Sequence, residues 1–156
     1  MNAEEQSKKL RAWMPYIVVA LLCLFFGRLF VDIFTGESNK PGVVWEEYSE
    51  TAYQAARQQK KPIMLYFAAD WCGPCHKLRR ETFTDQDVIA GVERFVRFKV
   101  DLTSPQGEAA KVGESFAVSA LPTVVFIGED GQERVRLRLI GFEEAARFRQ
   151  RLQAVK

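Results

Sequence analysis

Three residues of the string DWCGPCH have the type and spacing for chemistry: Cys72, Cys75 and His76. A C-x-x-C pair is a dithiol that can close and open a disulfide, while C-x-x-C-H is also an attachment pattern for a c-type haem. At a helix start, residues three apart share a face. That puts the pair within the Cα separation of about 4.4–6.8 Å that a disulfide requires. Cys72, the first of the two, would sit beside the unpaired N–H groups of the first turn, which favour a thiolate over a thiol. It is expected to be the nucleophile, attacking a disulfide to form a mixed disulfide. Cys75, expected to be the more buried, would then resolve it.

The neighbours fit that use. Gly73 leaves room for a bulky partner beside a tight turn, and Pro74 suits a first helical turn, where a missing N–H costs nothing. Trp71 is expected to shield one side of the pair, and His76, if charged, would add to thiolate stabilisation at Cys72. Blander readings stand beside these: Trp71 as core, Pro74 as a helix starter, His76 as a solvent-facing side chain, and the cysteines as a structural staple. Zinc is disfavoured, because Cys72, Cys75 and His76 do not close a tetrahedron at this spacing. For haem, His76 is the only histidine, and of the methionines beyond position 1, Met14 lies in an apolar segment and Met64 in a buried run, so a second axial ligand is lacking. Neither a metal nor a cofactor is expected.

Positioning such a pair requires a strand and a helix. Residues 63–69, IMLYFAA, form a continuous apolar run, the mark of a central strand buried on both faces. The dithiol follows at once, and HKLRRETF continues as a helix. Upstream, Trp45, Tyr48, Ala52, Ala55 and Ala56 recur at helical spacing and predict one helix ending before Pro62. Downstream come a helical DQDVIAGVERF and a strand over residues 96–102 that alternates Val96, Phe98, Val100 and Leu102 with Arg97, Lys99 and Asp101. Residues 104–116 read as a helix with Pro105 in its first turn. TVVFI and RVRLRLI then predict two strands joined by GEDGQE, and a last helix buries Ala145, Phe148, Leu152 and Val155. This order of elements implies an α/β fold, a mixed central β-sheet flanked by helices. Pro122, in ALPT, falls at the first position of a strand, where proline is allowed.

The N-terminus is of another kind. Residues 12–27, AWMPYIVVALLCLFFG, carry no charge, and the apolar pattern resumes as LFVDIF, with Arg28 and Asp32 spaced to pair. Counted over 12–34, the segment is long enough for a transmembrane helix at about 1.5 Å per residue. It lacks the short core and small-residue cleavage site of a signal peptide. Lys8, Lys9 and Arg11 precede it, so residues 1–11 are expected to be a cytoplasmic tail and the rest to face outward. Residues 35–43 read as a linker and 44–156 as the folded domain. With 22 Lys and Arg against 20 Asp and Glu, the formal net charge is +2, which gives no sign of nucleic-acid binding.

WCGPC behind an apolar strand, with LPT some 50 residues on before a hairpin and a last helix, resembles the thioredoxin superfamily over about residues 44–155. ADWCGPC, TFTDQDV, VDLT, LPT and the IGF before the last helix are most similar to the C-terminal thioredoxin-like domain of DsbD-type thiol:disulfide interchange proteins. The resemblance implies a thioredoxin fold, a redox disulfide Cys72–Cys75 with Cys72 attacking and Cys75 resolving, and a cis-Pro122 preceded by Leu121, whose backbone pairs with a bound partner. It further implies protein substrates with disulfides, a membrane or periplasmic electron donor, and contact with membrane lipid through the N-terminal helix. The chain would thus be a thiol–disulfide oxidoreductase of the cell inner membrane, its domain periplasmic and reducing. The chain also departs from the pattern: Tyr66 replaces the buried aspartate six positions before the first cysteine, and Arg79 a glutamate seven after it. A different class of function, a membrane-anchored docking module with an incidental dithiol, would tolerate loss of Cys72.

Overall fold

The run IMLYFA becomes the central strand because helices cover both of its faces. The computed structural model describes residues 21–23 and 41–155. The expected tail (1–11), span (12–34) and most of the linker lie outside the described residues, apart from 21–23, which are helical. Among the described residues, no helix is long and apolar enough to cross a membrane.

In chain order the elements are β1 (Glu46–Glu47), α1 (Glu50–Gln58), β2 (Ile63–Ala68), α2 (Gly73–Lys77), a π-helical turn (Leu78–Thr82), α3 (Gln86–Val92), β3 (Val96–Asp101), α4 (Gly107–Ser115), β4 (Thr123–Ile127), a 3₁₀ turn (Val135–Leu137), β5 (Leu139–Ile140) and α5 (Ala145–Ala154). The sheet order is β1-β3-β2-β4-β5. β3 runs parallel to both β1 and β2, while β4 is antiparallel to β2 and to β5. This is the expected mixed sheet. Its register sets Tyr66 between Lys99 and Val124.

Alternation along β2 divides the core. Met64, Tyr66 and Ala68 join Cys72, Cys75, Leu78, Phe83 and the inner residues of α3 and α5. Ile63, Leu65 and Phe67 join Tyr53 and Ala56 of α1 and Val112 of α4. Each fully buried Leu, Ile or Phe contributes about 1.5–3 kcal/mol, so the strand carrying the dithiol is among the best-held parts of the chain. Asp85 caps α3, its Oδ1 accepting from the N–H groups of Asp87 and Val88 at 3.1 and 3.0 Å.

Four expectations are corrected. Trp45 is not part of the first helix: it precedes β1 and packs on Tyr66 and Phe83, across the sheet from Ala52 and Ala56. A single helix cannot serve both faces, and Tyr53 takes the buried place that Ala55 was expected to hold. The helix expected from residue 104 starts at Gly107, because Gln106 is extended and Gly107 is left-handed (φ +57°), leaving Pro105 in the loop. RVRLRLI is not one strand. Val135 is 66% exposed, whereas Arg138 turns inward to donate to Glu133 and to the Phe116 carbonyl. The polar side chain is the held one, so the alternation does not mark a buried face, and the ladder with β4 is confined to Leu139–Ile140, apart from the Arg134 N–H that donates to the Phe126 carbonyl. Finally, the helix after the dithiol widens into a π turn, which brings Thr82 inward to donate from Oγ1 to the Glu143 carbonyl at 2.5 Å.

Candidate active site

β2 ends at Ala68, and after three intervening residues Cys72 caps the helix that follows. Its backbone is extended, and its Sγ accepts from the Cys75 N–H at 3.2 Å. Cys72 and Cys75 are joined by a disulfide with their Cα atoms 5.2 Å apart. Pro74 sits in the first turn, as its missing N–H allows. The two cysteines are 4% and 3% exposed, so both are buried, Cys75 by the slightest margin the more. Gly73 is exposed, and a Cβ there would meet nothing within 4 Å. Among the described residues, no packing contact demands glycine at that position.

Trp71 is not part of the core. It is 68% exposed and is held at its edge, where the indole N–H donates to the Thr103 carbonyl at 3.2 Å. Thr103 also accepts from the Asp70 N–H, and its own N–H donates to Asp101 Oδ1. These Thr103 hydrogen bonds hold the Asp101 carboxyl below the usual carboxylate range. The loop after β3 thus props the residues that enter the dithiol. VDLT was the available signal, but it did not reveal this bracing.

His76 is half-buried, and its partners settle its form. A guanidinium can only donate and a carbonyl only accept. Its Nδ1 therefore accepts from Arg79 Nη2 at 3.0 Å, while its Nε2–H donates to the Asp70 carbonyl at 2.7 Å. In this pattern the ring carries its proton on Nε2, and both of its nitrogens are engaged with the Asp70 carbonyl and Arg79.

Behind Cys75 lies a cavity of about 130 Å³, lined among others by Trp45, Tyr66, Asp70, His76, Arg79 and Lys99. Tyr66 points its hydroxyl to the Cys75 carbonyl at 3.4 Å. Burial pushes its pKa up to about 12, and the Arg79 charge offsets only part of this, so at neutral pH Tyr66 is a neutral phenol. Lys99, expected merely to face solvent from a half-buried strand, is half-buried beside this cavity and pairs with Glu47 at 3.8 Å. Only its register opposite Tyr66 could have revealed it.

On the far side, Leu121 is half-buried against the core and the Leu121–Pro122 peptide is cis. The Pro122 carbonyl accepts from the Gly141 N–H at 2.8 Å. Gly141 is left-handed (φ +85°), a conformation that glycine supplies without strain. Lys77 lies 4.0 Å over the Phe142 ring, tying the dithiol helix to the segment after β5.

A bonded cysteine pair at the head of a helix that leaves the central strand of such a sheet defines a thioredoxin-like thiol–disulfide oxidoreductase domain. Residues 49–156 match the family described as thioredoxin-like domain, and the chain belongs to that family. Within it, the chain is 37% identical over 100 residues to the thiol:disulfide interchange protein DsbD of Vibrio vulnificus, a match covering 64% of this chain and 17% of that protein's length. The oxidised C-terminal domain of Neisseria meningitidis DsbD superposes with a TM-score of 0.59 at 26% identity, covering 71% of this chain and 100% of that domain. A thioredoxin from Thermus thermophilus gives 0.60 at 26% identity, covering 72% of this chain and 86% of that one.

Proposed function

We propose that this protein is a membrane-tethered thiol–disulfide oxidoreductase that reduces disulfides of proteins in the periplasm. The bonded Cys72–Cys75 pair at the start of α2 carries the reading. In the reduced enzyme Cys72 attacks the partner's disulfide, and Cys75 attacks Cys72 in the resulting mixed disulfide and frees the partner reduced. The open side of Gly73 and the exposed Trp71 leave room for an extended partner chain. The Leu121 backbone pairs with that chain beside Pro122.

Residues 12–34 serve as the tether, residues 1–11 as a cytoplasmic tail and 35–43 as a linker to the domain. The apolar run and the basic residues before it support this arrangement. A membrane or periplasmic donor must re-reduce the pair. The Gly-Pro between the cysteines supports the reducing direction through its likeness to reducing thioredoxins. The test is the reduction potential of the couple in the full chain in detergent. A value near the thioredoxin figure of about −270 mV is expected, whereas one near about −120 mV would make the protein an oxidant. Cys75→Ala should trap thiol-sensitive adducts through Cys72 on non-reducing gels, and their absence would sink the mechanism.

A further inference from the structure

The resolving step needs a Cys75 thiolate, yet apart from Asp70 the groups around this cysteine are poor proton acceptors. Tyr66 is a neutral donor aimed at the Cys75 carbonyl. His76 has its one acceptor nitrogen taken by Arg79. The remaining ionisable groups facing the cavity are Arg79 from the helical segment, Lys99 from β3, with Glu47 of β1 as its outer partner, and Asp70 from the loop. Arg79 follows Cys75 by four residues on the same helical run and so lies on its face. The His76 ring, pinned to the Asp70 carbonyl, holds the guanidinium in place. The charge of Arg79 already reaches across to the Tyr66 phenol.

We propose that Arg79, backed by Lys99, drives the resolving step by stabilising the Cys75 thiolate electrostatically across the cavity, in place of a base that accepts its proton. This deepens the oxidoreductase reading and rests on it. The Cys75 thiol releases its proton to water, and a cavity of about 130 Å³ has room for several molecules. The thiolate attacks Cys72 Sγ, the Cys72–Cys75 bond forms as the bond from Cys72 to the partner sulfur breaks, and the partner leaves as a thiolate that takes a proton from solvent. The dithiol loses two electrons and the partner gains two. Arg79 is a positioning residue here and exchanges no proton itself. Because Arg79 is exposed on its outer side, the effect must weaken with ionic strength.

The test is stopped-flow reaction of the reduced full chain with 5,5′-dithiobis(2-nitrobenzoate). The first chromophore released, at a rate proportional to reagent concentration, reports Cys72, and the second, at a rate independent of it, reports attack by Cys75. In Arg79→Gln the pH midpoint of the first-order phase should rise by about one unit. At pH 7 that phase should slow about threefold to fourfold, because a tenfold loss of thiolate is partly offset by the higher nucleophilicity of a less acidic thiol. Arg79→Lys should restore most of the rate, and salt should erase the difference between wild type and Arg79→Gln. An unmoved midpoint in Arg79→Gln overturns the proposal, as does Asp70→Asn carrying the shift instead, which would identify a carboxylate base. Release of only one chromophore overturns the underlying oxidoreductase reading itself, a result distinct from a full second phase that ignores Arg79.

Discussion

The two faces of β2 are built from one apolar string but do different work. On the α1 and α4 side, Ile63, Leu65 and Phe67 meet Tyr53, Ala56, Phe98, Val100 and Val112, and Phe67 reaches Phe116 ring to ring. On the other side the same strand presents Tyr66, which meets Trp45 and Phe83 but also borders a cavity with Arg79 and Lys99 on its wall. One face is closed for stability. The other is left partly open and polar next to the disulfide. The strand that carries the reactive pair at its end thus gives up some packing on one of its two faces.

This contrast can be broken by experiment. Phe67→Ala, on the closed face, should cost about 3–5 kcal/mol in denaturant unfolding, while the rate constants for disulfide exchange of the folded fraction stay at wild-type values. Loss of the α3 cap in Asp85→Ala should cost about 1 kcal/mol, measured in the same way. Tyr66→Phe should cost less than about 1 kcal/mol, because it removes one long hydrogen bond to the Cys75 carbonyl. If it cost as much as Phe67→Ala, the two faces would be equivalent.

The Tyr66 phenol also predicts an alkaline signature. Its folded-state pKa is raised from the ordinary 10.0 to about 12, so the unfolded chain ionises first. The stability tied to the neutral phenol is full below pH 10 and is lost as pH rises to about 12. Tyr48 and Tyr53 are raised as well, chiefly by burial, so Tyr66→Phe should flatten only part of the alkaline fall. The smallest effect is expected at Asp101, whose carboxyl is held low by Thr103. Its contribution is present above the usual carboxylate range and is lost as pH falls through it. Asp101→Asn should flatten that acid limb of the unfolding profile.

What could be read from the residues depended on whether burial alone decided their pattern. The central strand and the dithiol at its end were legible, since a run buried on both faces leaves no polar position and a C-x-x-C at a helix start has one geometry. Pro122 and its strand were legible for the same reason. The reading of RVRLRLI failed because an inward Arg138 satisfied by Glu133 and the Phe116 carbonyl imitates the polar side of a strand. Trp45 was assigned to a helix because spacing cannot tell which face of a sheet a residue crosses to. At the site, the cysteines, Gly73 and Pro74 could be named in advance. The pinning of His76 and the proximity of Lys99 could not, because the first depends on how the turn into α2 folds the Asp70 carbonyl and Arg79 against the ring, and the second on a strand register that no local pattern encodes.

The π turn at Leu78–Thr82 has a consequence for how this chain can tolerate change. A π turn holds one residue more than the α-helical turn it replaces. One residue removed from the regular α-helical turn before it would swing Thr82 and Phe83 about a quarter-turn away from the Glu143 carbonyl and the aromatic cluster they serve, whereas one removed within the wide turn is absorbed as that turn closes to α geometry. The wide turn is therefore the place between the reactive pair and the rest of the fold where the residue count is expected to be able to change.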